Sequence, residues 1–358
     1  MRQKDTPLKQ KRIFIGFNSA GSAGIYAFTR ILRRRGYQID FYGIGKKHFN
    51  MPVDFMLEFS ANPIRSLLER IVLFFRLLPK YDLWHLNFLE TFFFYPVNLA
   101  ILKLFGRKII LTCRGVDVRN GLDFLPKELF NKTNNWPQYY QKIVAQRSRW
   151  ITFKQRLRVR TFVYFADKII LTGPFLASAV SKYDRIIPYA REIGALKKYK
   201  KNTKKIKILH VPSEPVVKGS QIIEKTFKKL QKKYPKYEFK ILSKLPHQQL
   251  LLEMAQADIV VDQLLVGWYG GQAVEAMAMG KIVMAYLNAP YLALVDFADE
   301  IPIVNTNVWT FGQDLTDLLE NLVENQKNMA EKSVKFAQKY HNAAKIAQSY
   351  EQIYKDCL

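Results

Sequence analysis

Short apolar runs alternate with helix-like stretches along the first half of the chain. A buried-strand pattern over 12–18 leads into a small, glycine-containing loop at 18–24, and helical spacing then covers 25–35 until Gly36. This strand–loop–helix order is typical of a parallel sheet with crossover helices. Further apolar runs predict strands at 37–42, 81–86, 108–113, 168–172 and 185–188.

The second half repeats the alternation after a charged run at 197–207, which we interpret as the connection between domains or an exposed edge. The pattern predicts an α/β fold of two doubly wound, Rossmann-like parallel-sheet domains that face one another. We place these domains at 1–195 and 196–338. Predicted strands begin at Lys207 and cover 240–242, 259–262 and 281–286, and predicted helices cover 220–234, 247–256, 272–279 and the region from 314 onward.

Basic residues are concentrated in the first half of the chain. The 358 residues include 56 Lys and Arg against 30 Asp and Glu, which gives a formal net charge of +26. Residues 1–200 hold 36 basic and 13 acidic side chains, whereas residues 201–358 hold 20 and 17. The asymmetry predicts an anionic partner for the first half: a membrane surface, a phosphorylated lipid or a nucleic acid.

Several classes of protein are disfavoured by what the sequence lacks. Two distant cysteines, Cys113 and Cys357, cannot form a disulfide scaffold or a four-ligand zinc site, and we expect reduced thiols. The five histidines lack HExxH or HxxxH spacing, so no metal site is expected. Neither a hydrolase G-x-S-x-G elbow nor a dehydrogenase G-x-G-x-x-G after the first strand is present. The chain begins without the apolar segment of a signal peptide and has no run of ~18 apolar residues, so neither export nor a membrane span is expected.

The segment from Asp262 to Met284 joins a predicted strand to a helix through a glycine-bearing loop at 267–271. Ligands of doubly wound sheets bind at the carboxyl ends of strands, where a helix N-terminus presents N–H groups to phosphates or sugar hydroxyls. Glu275, in the first turns of that helix, is placed to accept both hydroxyls of a ribose. The alternative is an ordinary first-turn acid beside glycines that only form a turn.

A second candidate loop, from His210 to Ser220, follows the first strand of the same half. Lys218 stands near its end, where an ammonium group would neutralise a pyrophosphate, and Ser220 is a suitable N-cap for the next helix. The alternative is a solvated lysine. Both loops belong to βα units of one half, so they can face the same crevice.

Together these segments resemble the retaining glycosyltransferases of family 4, which have two Rossmann-like domains in the GT-B architecture. The most specific segments are KGS at 218–220 and ADIVVDQLLVGWYGGQAVEAMAMGKIV at 257–283. Weaker similarities cover FNSAGSAGIYAFTRILRRRGYQIDFY at 17–42, YDLWHLNF and GRKIILTCRGVDVR within 81–119, ADKIILTGPFLASAV at 166–180 and YHNAAKIAQSYEQIY at 340–354. The last resembles a C-terminal helix that crosses back to the first domain, and we assign 339–358 to it.

The resemblance implies that the second domain binds a nucleotide-diphosphate sugar. Glu275 would bind the ribose, and Lys218 would bind the diphosphate and assist its departure. The Gly270–Gly271 backbone and Gln272 would hold the sugar or phosphate. The other implied donor contacts are Ser220, Asp262 and Tyr269, and the residues implied on the acceptor side are Gly21, Ser22, His85 and Asp117. For His85, a core position is an equally good interpretation.

The sequence departs from the family pattern in the donor loop. The family often has two glutamates spaced E-x7-E. Counted back from Glu275, the first of these positions is Gly267, which has no side chain. The sugar contact would then come from the backbone, Trp268, Tyr269 or Asp262. The arginine that often accompanies the phosphate-binding lysine is not evident between residues 210 and 218.

A further departure lies in the segment Thr112–Gly115, where Arg114 takes the place of a histidine in the family's T-x-H-G motif. A guanidinium can stabilise charge on the sugar or the leaving phosphate, but it cannot act as a base. We therefore take Arg114, Lys218 and Glu275 as the catalytic candidates. Because no D-x-D triplet accompanies the loop, we expect Lys218 and a helix dipole to stabilise the leaving group, without a metal or a cofactor.

Two apolar–basic stretches of the first half, 64–78 and 147–162, are candidates for a membrane interface. In the first, apolar residues follow i, i+3, i+4 spacing and the arginines can snorkel. The alternative is a core-facing helix with a solvated basic face. The charge of the same half favours the membrane, because each Lys or Arg near an anionic leaflet contributes about 1 kcal/mol.

The sequence thus predicts a cytoplasmic hexosyltransferase, peripheral on the inner face of the cell membrane. Its predicted partners are a nucleotide sugar, a cell-surface or lipid-linked glycan acceptor and an anionic membrane surface, with no nucleic acid. Two alternatives stay open. One is a nucleotide-sugar-binding protein without transfer activity, and the other is a basic nucleic-acid-binding protein with Trp150 and Phe153 among its arginines.

Overall fold

The polypeptide forms two units, each built around its own parallel sheet. The computed structural model describes residues 10–16, 23–44, 53–115, 117–118, 149–243 and 245–358. Internal contacts group the described residues up to Val118, the range 149–190 and Ala343–Leu358 into the first unit. The second unit comprises Arg191–Asn342.

Seven described strands form the sheet of the first unit, in the order β3-β2-β1-β4-β5-β6-β7, and all of their pairings are parallel. Their bounds are β1 Arg12–Gly16, β2 Gln38–Ile44, β3 Phe55–Leu57, β4 Leu83–Asn87, β5 Lys108–Cys113, β6 Lys168–Leu171 and β7 Arg185–Ile186. The six predicted strands of this half are confirmed, with ends that differ by a few residues. The short edge strand β3 was not predicted, because three residues carry no readable periodicity.

Four described α-helices of the first unit precede Arg191 in the chain: α1 Ala23–Arg34, α2 Pro63–Leu77, α3 Tyr95–Leu104 and α4 Arg149–Phe165. The start of α2 is fixed by Asn62, whose side chain accepts hydrogen bonds from the N–H groups of Ile64 and Arg65. Only Phe74 and Leu77 of α2 are buried, so the apolar stripe predicted there is mostly exposed.

The second unit has a sheet of five described strands in the order β12-β11-β10-β8-β9, again parallel throughout. The strands are β8 Lys207–His210, β9 Glu238–Ile241, β10 Ile259–Val261, β11 Ile282–Ala285 and β12 Val304–Asn305. The helices are α5 Ile193–Leu196, α6 Pro215–Lys218, α7 Ser220–Lys233, α8 His247–Gln256, α9 Gly271–Ala278, α10 Ala289–Leu292, α11 Phe311–Glu320 and α12 Leu322–Tyr340. The strand order reverses between β8 and β10, and such a switch point is where doubly wound sheets bind ligands.

The last helix, α13 Ala343–Cys357, belongs to the first unit. Its Tyr350 stacks on Phe28 of α1 with ring centroids 4.2 Å apart, and the Tyr37 hydroxyl donates to Glu351 over 2.7 Å. Residues of α1, α13 and the sheet therefore share one apolar core. Among the described residues, no helix combines the length and the apolar character that a membrane span requires.

Candidate functional site

A buried ion pair occupies the switch point of the second sheet. Lys218, the last residue of α6, follows β8, and Asp262 directly follows β10. The Lys218 ammonium donates to Asp262 Oδ1 over 2.6 Å, and the two side chains are 10 % and 0 % exposed. The backbone N–H of Leu264 also donates to the Lys218 carbonyl, which ties the two loops together. Lys218 is therefore a fixed, desolvated cation and not a solvated surface lysine.

The loop before α9 is arranged around the same carboxylate. The Gly270 N–H donates to Asp262 Oδ2 over 2.7 Å, so both oxygens of Asp262 are engaged. Gln272, in the first turn of α9, accepts from Lys218 through Oε1 at 3.2 Å. The structure thus brings Lys218, Asp262, Gly270 and Gln272 together, with Asp262 behind the lysine as its positioning partner.

Glu275 lies one turn further along α9 and is 3 % exposed. Its Oε1 accepts from Arg191 Nε at 2.9 Å and from His247 Nε2 at 3.0 Å. Burial by itself raises the pKa of Glu275, but the Arg191 charge and the His247 hydrogen bond outweigh burial and hold the pKa below its ordinary value. Glu275 is therefore an ionised, fixed acceptor, and among the described residues no hydrogen bond reaches its Oε2.

Arg191 and His247 were not assigned to the site from the sequence. Arg191 pairs with a residue 84 positions away, and His247 with one 28 positions away. No local motif surrounds either residue. Only Arg191 stands out in the sequence. It is the last arginine of the chain, and the permanently charged basic residues after it are all lysines.

Ser220 is linked to a buried histidine of β8. His210 Nδ1 bonds the Val261 carbonyl at 2.8 Å, and its Nε2 bonds the Ser220 hydroxyl at 2.8 Å. Burial lowers the pKa of His210 to about 4, so the ring is neutral and its only proton lies on Nδ1. The Ser220 hydroxyl therefore donates its hydrogen to His210. The helix cap is Gly219, with φ of +78°, and not Ser220 as the sequence predicts.

Tyr269 and Trp268 belong to the core of the second unit. They are 1 % and 3 % exposed, and their rings stack with centroids 4.8 Å apart. The Tyr269 hydroxyl hydrogen-bonds His341 Nε2 at 3.1 Å. This placement gives the predicted donor contact of Tyr269 no support, because its side chain is buried and its polar atom is paired.

In the first unit, Arg114 directly follows β5. Its Nε donates to Asn87 Oδ1 at the end of β4 over 3.2 Å, and Asn87 donates to the Gly16 carbonyl of β1. Asp117 accepts hydrogen bonds from the N–H groups of Arg114 and Gly115. Burial raises the pKa of Asp117 although these bonds oppose it. Asp117 thus shapes the loop that carries Arg114, at the edge where the order of this sheet reverses between β1 and β4.

His85 lies in the core of the first unit, which was one of the two positions considered for it from the sequence. It is fully buried, with Nδ1 hydrogen-bonded to the Tyr354 hydroxyl at 2.8 Å and Nε2 to Thr112 Oγ1 at 2.6 Å. Burial first, and then the Arg114 charge, lowers the pKa of His85 to about 3. Gly21 and Ser22, the other residues expected on the acceptor side, lie outside the described residues.

Within the described part of the chain, no three or more His, Cys, Asp or Glu side chains are grouped so that they could hold a metal ion. The positive charge of the second unit's site comes instead from Lys218 and Arg191, and from the start of α9. Such an arrangement can hold an anion at the helix start and a hydroxylated group near Glu275.

No protein-family model matches the sequence, and no curated protein sequence does either. Solved structures match in fold along nearly the whole chain. Sucrose-phosphate synthase from Thermosynechococcus elongatus is 15 % identical with a TM-score of 0.62, over 97 % of this chain and 98 % of that one. HepE of Anabaena in complex with UDP-glucose is 14 % identical with a TM-score of 0.61, over 97 % and 99 %.

The catalytic domain of starch synthase IV from Arabidopsis thaliana, bound to ADP and acarbose, is also similar, with 9 % identity and a TM-score of 0.57 over 97 % and 99 % of the two chains. At such identities the likeness establishes the fold alone. It confirms the predicted fold class, an α/β protein of two Rossmann-like parallel-sheet units of the GT-B type.

Proposed function

We propose that the protein is a glycosyltransferase that moves a hexosyl group from a nucleotide-diphosphate sugar to a glycan or lipid-linked acceptor. The observation that carries the proposal is the Lys218–Asp262 pair at the switch point, beside the start of α9. A buried ammonium held next to a helix start suits a diphosphate. The names of two similar structures, which hold UDP-glucose and ADP, support the same class of ligand.

In the proposed reaction, the bond between the anomeric carbon and the phosphate oxygen breaks. Its electron pair leaves with the nucleoside diphosphate, while an acceptor hydroxyl bonds to the anomeric carbon and passes its proton to the departing phosphate oxygen. Lys218 and the start of α9 stabilise the departing charge without a metal, and Glu275 Oε2 accepts a ribose hydroxyl. Retention of the anomeric configuration and membership of family 4 belong to the proposal and rest on the sequence resemblance.

We assign acceptor binding to the first unit. Arg114 lies at the ligand-binding edge of that unit's sheet, where its guanidinium suits a phosphate or a developing negative charge. Asp117 and Asn87 position it. Because His85 is buried and neutral, its contribution is to hold β4 and β5 against α13 and not to touch the acceptor.

A thermal-shift screen with UDP, GDP, ADP and their sugars tests the donor site, followed by a product assay with a candidate acceptor. We expect stabilisation by one nucleotide series, and loss of that stabilisation and of turnover in Lys218→Ala and Glu275→Ala. Lys228→Ala, which removes an exposed cation, is the matched control. Turnover should survive EDTA. If no nucleotide stabilises the protein, the donor site is wrong, and if a sugar nucleotide binds without any transfer, the protein is a binding protein.

We further propose that the first unit docks on an anionic membrane through α2. Exposed apolar side chains cover one part of this helix: Ile64, Leu67, Leu68, Val72 and Phe75 are 46–74 % exposed. Arg65, Arg76 and Lys80 are exposed at the same helix and just after it. Apolar side chains that enter the interface, with cations beside anionic head groups, are typical of a peripheral helix.

Flotation with liposomes of phosphatidylcholine, with and without phosphatidylglycerol, tests this docking. We expect recovery to rise with the anionic lipid and to fall in the double variant Leu68→Ser/Val72→Ser. Leu252→Ser is the matched control, because Leu252 is 52 % exposed on α8 of the near-neutral half. Equal recovery from both liposome types removes the proposal, and retention on an RNA or DNA column in preference to liposomes favours the nucleic-acid alternative.

A further inference from the structure

Arg191 reaches the start of α9 from a segment that the sequence motifs do not include. Its backbone N–H donates to the His341 carbonyl over 2.8 Å, and it forms an isolated parallel bridge with Asn342. Its side chain is 16 % exposed. The backbone of Arg191 is thus anchored, and its guanidinium extends to α9, where Nε donates to Glu275.

The guanidinium lies directly against the first residue of α9. A Cβ atom added at Gly271 would collide with an outer nitrogen of Arg191 and lie 3.3 Å from its central carbon. Gly271 therefore provides the space into which Arg191 fits. Lys218 approaches the next residue, Gln272, at 3.2 Å. Two cations from separate segments consequently meet at consecutive residues of one helix start.

Each cation is held by its own buried carboxylate. Asp262 is 0 % exposed behind Lys218, and the Glu275 side chain is 4 % exposed behind Arg191. These pairings fix both cations before any ligand arrives. A bound anion is therefore stabilised by two positive charges without the loss of conformational entropy that ordering two long side chains would bring. A diphosphate carries two linked phosphoryl groups and so matches two fixed cations better than a monophosphate does.

The choice of arginine is itself informative. Residues 192–358 contain lysines but no arginine, so Arg191 stands apart from the cation chemistry of the rest of its unit. A guanidinium presents a planar fork of donors that can face a carboxylate on one edge and a phosphate on another, whereas an ammonium acts as a point charge.

We propose that Arg191 is a donor-binding residue whose guanidinium contacts the diphosphate opposite Lys218 while Glu275 holds it in place. This inference rests on the proposed function and deepens it, because it supplies the second phosphate-binding cation that the sequence lacks beside Lys218. A purely structural role for Arg191, as the partner of Glu275, is the competing explanation.

A series of ligands separates the two roles. Affinities for a nucleoside, its monophosphate and its diphosphate, in the uridine, guanosine and adenosine series, are measured by calorimetry on the full chain. If Arg191 contacts the diphosphate, Arg191→Gln weakens diphosphate binding about 10-fold to 100-fold and nucleoside binding less than about 3-fold. If Arg191 only holds Glu275, all three ligands weaken by the same factor, and this result overturns the inference.

Two further variants keep the test decisive. Arg191→Lys keeps a positive charge near Glu275 but removes the planar guanidinium. This variant should fold and still lose part of the affinity for the diphosphate. If the diphosphate affinity is unchanged in both Arg191→Lys and Arg191→Gln, the inference is overturned. Lys228→Gln, which removes one exposed charge from the same unit, should leave all affinities unchanged. If the wild type binds no nucleotide, the proposed function fails; if it binds a diphosphate independently of Arg191, only this inference fails.

Discussion

Replacing Asp262 by asparagine should destabilise the second unit strongly. The change leaves the Lys218 ammonium nine-tenths buried without a counter-charge. The Asp262 carboxylate now accepts one hydrogen bond from the Lys218 ammonium and one from the Gly270 N–H. An asparagine amide has only one acceptor oxygen, so its NH₂ group would face one of these two donors. Loss of one partner of a buried pair costs about 3–5 kcal/mol. For a unit of about 150 residues, this corresponds to a fall in Tm of about 6–20 °C.

Thermal and urea unfolding of the wild type, Asp262→Asn, Lys218→Met and the double variant measure this cost. The double variant should be more stable than additivity predicts, because removing the ammonium relieves the uncompensated charge. Glu224→Gln is the control: its pair with Lys228 has nearly the same length, 2.7 Å, but side chains that are 54 % and 75 % exposed, and its loss should cost about 0.5 kcal/mol or less. If Asp262→Asn costs as little as the control, or if the two changes are fully additive, Lys218 and Asp262 do not form a coupled buried pair.

Three other outcomes follow from the described groups. The pKa of His210 is about 4 in the folded state and near 6.5 in the unfolded state, so between these pH values the unfolded chain binds a proton that the folded chain does not. About 3 kcal/mol of the stability present above pH 6.5 is therefore lost as the pH falls to 4. Urea titrations at pH 7 and 4.5 should show this loss, and a His210→Gln variant with the same pH slope contradicts it. Cys113 and Cys357 should resist a thiol reagent at pH 8 until unfolding, because burial raises both pKa values, that of Cys357 to about 11; rapid labelling of the native protein contradicts this. Gly219→Ala should cost about 1–2 kcal/mol in urea unfolding, because φ is +78° and the new Cβ would lie 3.3 Å from Leu264 Cβ, whereas Gly194→Ala meets no described atom within 4 Å and should cost less.

The elements that the sequence predicts well are those with a strong local signal. Strands such as β5 and β11 are continuous apolar runs buried on both faces, and α9 is preceded by glycines and followed by Gly280 with φ of +70°. The short edge strands β3 and β12 were not predicted, because two or three partly exposed residues show no period. Local patterns therefore account for the sheet centres, and of the four edge strands they predict β7 and β9 but not β3 and β12.

For the candidate site, the sequence identifies residues but not their partners. The sequence places Lys218 at the end of a loop and Asp262 at the end of a strand, yet their pairing across 44 positions depends on β8 and β10 being neighbours. The same applies to Glu275, whose charge state is set by Arg191 and His247 and not by its own motif. Tyr269 was offered as a contact to the donor sugar because Gly267 has no side chain, whereas the buried Tyr269 pairs through its hydroxyl with His341.

The backbone at Gly267 explains why this chain has no glutamate at the first position of the family's E-x7-E pair. Its φ is +80°, a conformation in which a side chain costs about 1–2 kcal/mol, and its carbonyl accepts from the Asn288 N–H over 2.9 Å. The following residues, Trp268 and Tyr269, then turn inward to fill the core. The loop is therefore shaped by its glycine and its aromatic pair, and a glutamate at this position would strain that backbone. In the proposed transferase, polar contacts to the donor sugar must come from elsewhere, and the start of α9, with Gln272 beside Lys218, is the part of this unit that presents them.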